Sequence, residues 1–349
     1  MYIDAHVHFR DFRQAHKETI KHGLEVARDS GVDAVYDMLN TDPAGTTEEV
    51  VVDRLRLADE ANVPEVFYGV YHVLTRDPEQ VRRAVGIYRK FFPHAVGLKM
   101  YAGHSVGNMG IVEKDDQWMV YSVLTREGYD GLLPVHSEKE SKMVPGAWDY
   151  RMPVSHCLAR PEASEIESVG DQIEMAIHTR FNGKLHIPHI SSPKAVELVV
   201  DAKTRGLDVS CGVCPHHFIY DWEKMLGKDG LQYKMNPPLR PPESRDAMFL
   251  HLKAGNIDWI ETDHAPHGPE KTQAPYMSGL VGLPWWAMFA EYLRVHEFSE
   301  AQIEDAVFNR AAKRSGIDVK RSRQPIKDRR GDYPFNPYES VEKELGWRP

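Results

Sequence analysis

Two histidines stand two residues apart near the start of the chain, in Tyr2-Ile3-Asp4-Ala5-His6-Val7-His8-Phe9-Arg10. Side chains of a strand alternate faces, so the His6 and His8 imidazoles point the same way. Ile3 and Val7 are apolar, as a buried strand requires. Two imidazoles on one rigid face can hold a metal ion, but His-x-His alone is a short motif that needs further ligands. The rest of the chain offers them. Lys99 closes Gly97-Leu98-Lys99-Met100-Tyr101, and His136 closes Leu133-Pro134-Val135-His136. His189 closes His186-Ile187-Pro188-His189, and Asp263 closes Glu261-Thr262-Asp263 before His264-Ala265-Pro266-His267. One polar residue at the end of a strand carries little information. Four histidines, a lysine and an aspartate at the same ends of strand-like runs point to one site.

Lys99 fits such a site by its chemistry. A lysine inside a dry barrel loses its proton, because burial disfavours the charged form. A neutral amine can react with carbon dioxide to give a carbamate. That turns a cation into an anionic two-oxygen ligand able to bridge two metals.

The elements that must position these residues alternate along the chain. Strand-like runs cover 2–10, 32–39, 65–71, 95–101, 132–136, 184–190, 207–213 and 258–263. Helix-like runs cover 17–29, 46–61, 78–92, 115–128, 162–181 and 193–205. A glycine-rich loop spans 103–110 and a long loop 137–161. Eight near-continuous apolar strands, each followed by a helix or long loop, predict an α/β fold of (β/α)8 TIM type rather than a doubly wound sheet. In such a barrel the active-site residues sit at the carboxyl ends of strands, where the candidates fall.

The totals agree with a globular enzyme. The 349 residues are 42% hydrophobic and 27% charged, within the range of one barrel. A net charge of −9 argues against a nucleic-acid or membrane partner, but not against an anionic substrate in a locally cationic pocket. Three cysteines cannot build a disulfide framework. There is no basic-then-apolar leader before the first strand, so a cytoplasmic setting is expected.

In combination these motifs resemble the amidohydrolase superfamily and, within it, the dihydroorotase family, over about residues 2–315. The shared segments include Met38-Leu39-Asn40-Thr41, Arg160-Pro161-Glu162, Pro215-His216-His217, Asn236-Pro237-Pro238-Leu239-Arg240 and Ser278-Gly279-Leu280. The resemblance implies a cyclic amidohydrolase with two Zn2+ ions bridged by carbamylated Lys99 and a hydroxide. His6, His8 and Asp263 would hold the more buried ion, and His136 and His189 the other. It also implies reversible cyclisation of N-carbamoyl-L-aspartate to L-dihydroorotate in pyrimidine biosynthesis, with Asp263 as catalytic proton shuttle.

The planar fork of Arg10 can clamp a carboxylate through two hydrogen bonds. In the family, positions matching Arg10, Asn40 and His267 hold the substrate carboxylate, and Asn236 meets the ring's amide edge. Two alternatives stay open. One is a hydantoinase-, dihydropyrimidinase- or allantoinase-like hydrolase. The other is a catalytically silent subunit of aspartate carbamoyltransferase, for which degraded ligands would be the mark, and none is missing. A homodimer, or association with aspartate carbamoyltransferase, is the partner the family suggests.

Two expectations concern the remainder. Residues 1–315 read as the catalytic barrel and 316–349 as an extension packed on it, because the tail lacks the strand pattern of a full flanking β-sandwich. In Cys211-Gly212-Val213-Cys214-Pro215-His216-His217 the cysteine spacing suits zinc, but adjacent histidines are expected to point apart, so the cysteines read as packing residues.

Overall fold

Eight short, buried runs form the parallel strands β1 Tyr2–Val7, β2 Val32–Met38, β3 Phe67–Val73, β4 Ala95–Tyr101, β5 Leu132–His136, β6 Lys184–Ile187, β7 Val209–Val213 and β8 Trp259–Ile260. They are ordered β1 to β8 around one sheet in this computed structural model, which describes residues 1–105, 109–322 and 324–348. The centre of the glycine-rich loop, 106–108, lies outside the described residues. The circle is drawn together beyond the short β8. Val7 bridges His264, and the His8 N–H donates to the His264 carbonyl at 2.8 Å. This is the expected α/β barrel.

Local chemistry explains the helices that wrap it. Ile20–Asp29 begins where the Thr19 hydroxyl accepts from the His22 N–H. Glu48–Ala61 begins on Thr47 with two acids in its first turn. Pro78–Phe91 and Pro193–Thr204 start on proline, whose missing N–H is one of those a helix start leaves unpaired. The interior is filled by Trp259, Trp285, Trp286, Tyr36 and Tyr71, all fully buried. A buried knot ties β1, β2 and β3 together: Asp37 accepts from Arg54, from the Tyr68 hydroxyl at 2.6 Å and from the Phe9 N–H at 3.0 Å.

Three strands stop three residues short of their expected carboxyl ends. β1 stops at Val7, β6 at Ile187 and β8 at Ile260, so His8, His189 and Asp263 lie just past the ladder. The chain beyond residue 315 runs along the barrel. Lys327 N–H donates to the Asp29 carbonyl (2.8 Å), the Tyr333 hydroxyl to Glu18 (2.6 Å), and Tyr220 and Tyr233 to the Pro337 carbonyl (2.9 and 3.0 Å). Tyr338 is fully buried in this strap, and helix Glu339–Leu345 ends it.

Candidate metal centre and substrate cavity

β1 delivers His6 from within the ladder and His8 from one residue past it. The two rings converge on a single carboxylate oxygen: Asp263 Oδ1 lies 3.4 Å from His6 Nε2 and 2.8 Å from His8 Nε2. One potential ligand atom from each of the three residues falls within 4.8 Å of the others. The opposite nitrogen of His8, Nδ1, is 2.7 Å from Asn40 Oδ1. That oxygen also accepts from the Arg10 guanidinium at 3.1 Å, which fixes the amide orientation. Nδ1 therefore donates to Asn40; with an ion between the ring and Asp263, Nε2 would present its lone pair, the tautomer a metal ligand needs.

A second pair continues the array. His189 packs against His6 with ring centroids 5.1 Å apart, and against His136 at 5.0 Å. His136 Nδ1 and His189 Nε2 are 3.3 Å apart. Behind His136 stands Glu138, with Oε2 at 3.1 Å from His136 Nε2, in contact but outside hydrogen-bond geometry. Burial pushes the Glu138 carboxyl up, but Arg160 and His136 together outweigh it and hold it well below the usual carboxylate range.

His189 and Asp263 have positive φ, 40° and 49°. Such backbone is costly for non-glycine residues and persists where the surroundings hold it. For His189 the holder is Glu261 Oε1, which accepts its N–H at 2.7 Å. Glu261 occupies the space a side chain at position 212 would need: a Cβ on Gly212 would come within 2.7 Å of that carboxyl.

Lys99 points into the midst of these rings. It is 1% exposed, and its Nζ has no hydrogen-bond partner. Burial lowers its pKa to about 7, against the opposing pull of Asp263 and Glu261, so much of the amine is neutral near neutral pH. Burial likewise lowers His6, His136 and His189, leaving neutral imidazoles. His6 Nδ1, His136 Nε2, His189 Nδ1 and Lys99 Nζ all lack hydrogen-bond partners among the described residues. Buried polar atoms are rarely left so. Neutral imidazoles, a carboxylate and an uncharged amine form a donor set that fits divalent cations of the zinc, manganese or cobalt kind.

The six residues line one cavity together with Arg10, Asn40 and Asn236, and Tyr101, Ser105, Ser278 and Gly279 complete its wall. Arg10 is 1% exposed, and its Nε has no partner. Burial lowers its pKa from the usual 12.5, opposed by Asp37 and Asp263; a guanidinium remains charged. Asn236 Oδ1 is held 3.0 Å from His156 Nε2.

His267 is not brought into this cavity. Its Nε2 lies 2.9 Å from the Ser278 carbonyl, and its Nδ1 lies 3.5 Å from both Lys17 Nζ and Glu270. It packs behind Gly279, where a Cβ would stand 2.9 Å from the His267 ring.

Sequence reasoning missed Glu138, Glu261 and Tyr101, although each lies within two residues of a candidate ligand. For Glu261 and Tyr101 the signal was a charge or hydroxyl following an apolar run; Glu138 sits in the polar run Ser137-Glu138-Lys139-Glu140, which offered none. The expectation for His216 and His217 needs correction. Residues Pro215–Ile219 form a helical turn, not a strand, so the two rings converge with centroids 4.4 Å apart. Together with Cys214 they offer ligand atoms within 4.8 Å of one another.

Comparison with known proteins places this arrangement. The chain is 35% identical over 290 residues to a dihydroorotase of Brevibacillus brevis, covering 80% of this chain and 64% of that protein. It is 30% identical over 325 residues to a dihydroorotase of Enterococcus faecalis, covering 91% of this chain and 73% of that protein. The chain belongs to the dihydroorotase family. It spans somewhat under two thirds of the length of the first of these relatives. No family model matches it. Among solved structures, the L-hydantoinase (dihydropyrimidinase) of Arthrobacter aurescens superposes with a TM-score of 0.81 at 21% identity, covering 94% of this chain and 74% of that one. A Saccharomyces cerevisiae dihydroorotase in complex with 5-fluoroorotic acid gives 0.74 at 16% identity, covering 92% and 85%. At these identities the structures speak for the shared dihydroorotase and hydantoinase barrel. No helix of the described residues is long and apolar enough to cross a membrane.

Proposed function

We propose that this chain is a dihydroorotase, interconverting N-carbamoyl-L-aspartate and L-dihydroorotate at the β-barrel mouth. The observation that carries the reading is Arg10, a buried guanidinium facing the cavity that the candidate ligands line. A cyclic amide bearing a carboxylate would satisfy it, whereas a neutral hydantoin ring would leave it without a counter-charge.

His6, His8 and Asp263 would hold one Zn2+ and His136 and His189 a second, with Lys99 as its carbamate between them. Bound there, the ions would make a water nucleophilic near neutral pH and polarise the ring carbonyl. The remaining work falls to the chain's own groups. Arg10, with Asn40 beside it, orients the substrate carboxylate. Asn236 faces the amide edge. His267 supports this group from behind, through the Ser278 carbonyl and the Gly279 wall. Asp263 accepts a proton from the water that adds to the carbonyl and passes it to the departing ring nitrogen. In the closing direction the carboxyl gives that proton back and water departs.

The same reading takes residues 1–315 as the catalytic barrel and 316–349 as its extension, supported by the strap contacts of Tyr333 and Pro337 with the barrel. A silent subunit would have no need of six converging candidate ligands and a buried cationic fork. Dihydroorotate ring opening, followed on zinc-loaded protein, tests the proposal. Turnover of dihydroorotate well above that of neutral hydantoin is expected, and the reverse preference would overturn it.

A further inference from the structure

Behind the catalytic cavity lies a second cluster of ligand-type side chains that the proposed reaction does not use. Cys214, His216 and His217 are 0%, 1% and 3% exposed. One ring nitrogen of each histidine is engaged. His217 Nε2 lies 3.1 Å from the Pro237 carbonyl, to which it donates, and His216 Nδ1 lies 3.5 Å from the Tyr338 hydroxyl. The other nitrogens, His217 Nδ1 and His216 Nε2, have no hydrogen-bond partner among the described residues. The contact to a carbonyl fixes the proton of His217 on Nε2 and leaves the lone pair on Nδ1. A ligating histidine is ordinarily oriented in this way by what its other nitrogen touches.

We infer that Cys214, His216 and His217 form a metal site separate from the catalytic pair, taking one zinc-like d10 cation through a thiolate sulfur and two imidazole nitrogens. The Cys214 sulfur and one ring nitrogen of each histidine already fall within 4.8 Å of one another. Tetrahedral zinc, with bonds of about 2.3 Å to sulfur and 2.0–2.1 Å to nitrogen, needs them only modestly closer. Sulfur favours zinc over magnesium or calcium. On binding, the Cys214 S–H gives its proton to solvent and the sulfur lone pair goes to the ion. No redox partner is required.

The placement gives the site a purpose. The Pro237 carbonyl that anchors His217 follows Asn236, which lines the catalytic cavity. Tyr338, beside His216, belongs to the strap and packs on Trp285, Phe289 and Tyr220. An ion here would pin the Asn236 loop and the strap to the end of β7.

Cobalt supplies a selective test, because none of the six ligands proposed for the catalytic centre is a cysteine. The intact protein is stripped of metal and reloaded with Co2+. A near-ultraviolet thiolate-to-cobalt charge-transfer band is expected, together with about one metal equivalent per chain beyond the catalytic complement. Cys214→Ser should abolish the band and the extra equivalent while the bands of nitrogen- and oxygen-bound cobalt remain. Cys157→Ser and Cys211→Ser should keep it. Absence of the band in the reloaded wild-type chain, or its persistence in Cys214→Ser, would overturn the assignment. The outcome does not depend on which substrate the barrel turns over.

Discussion

Replacing Arg10 by methionine keeps the apolar stem of a side chain that is 1% exposed and removes the guanidinium. The Arg10 N–H to Asn40 Oδ1 is lost, but His8 Nδ1 still donates to that oxygen at 2.7 Å, so the His8 tautomer survives. What disappears is the fork offered to the substrate carboxylate. A hydrogen bond to a charged group contributes about 1.5–3 kcal/mol, and a buried pair broken from one side costs about 2–5 kcal/mol or more. Taking roughly 3–4 kcal/mol for a two-point clamp, kcat/KM for dihydroorotate should fall by about 10²–10³ at roughly 1.4 kcal/mol per decade. Dihydrouracil, the same ring without the carboxylate, should lose less than about tenfold, since only general packing changes. Arg10→Lys should lie between the two, because an ammonium keeps the charge but cannot match the planar two-point geometry. The assay is ring opening of both substrates, with metal content measured on each variant. Equal losses on the two rings at unchanged metal content would refute the carboxylate role of Arg10.

Asp263→Asn should retain most bound metal and lose about 10²–10⁴ in kcat, the span expected when a general acid–base group is removed; near-normal turnover would contradict its proton role. Lys99→Ala should lower both metal content and activity, with partial recovery on adding a short carboxylic acid that stands in for the carbamate; full metal content in the unrescued variant would refute the bridging role. Glu18 is buried, and burial alone would push its carboxyl up. His264, with hydrogen bonds from His22, His264 and Tyr333, outweighs this and brings it from 4.5 to about 2. Its folded pKa is depressed, so its stabilisation is full above about 4.5 and fades as pH falls towards 2, on the order of 3 kcal/mol in all. In metal-free protein Glu18→Gln should therefore flatten the loss of stability across that window, followed by denaturant unfolding; an unchanged slope would remove Glu18 from the account.

The barrel was legible because its strands are buried on both faces and read as apolar runs. β4 and β5 fall on the expected residues, since Lys99 and His136 interrupt those runs without breaking the extended backbone. β6 and β8 were read too long. Past Ile187 and Ile260 the chain turns through positive φ at His189 and Asp263, and hydrophobicity carries no trace of that turn. The alternation that paired His6 with His8 survives one residue beyond the ladder because the His8 N–H still bonds the neighbouring stave. Glu261 holds His189 through a contact between different staves, which no local pattern encodes. His216 and His217 were misjudged because adjacent side chains were expected to point apart, whereas the helical turn Pro215–Ile219 brings the two rings together. His267 stands one layer further from the cavity than its motif suggested, held by Ser278 and Gly279 across the last loop.

The central claim, a dinuclear metal site beside a carboxylate clamp, meets its most direct test in one paired measurement. Dihydroorotate ring opening and metal content are determined on the same sample as Zn2+ is added back to stripped protein. Turnover should rise with occupancy of the catalytic ions and exceed turnover of neutral hydantoin under the same conditions. Full occupancy with no dihydroorotate turnover, or turnover indifferent to metal, would contradict it.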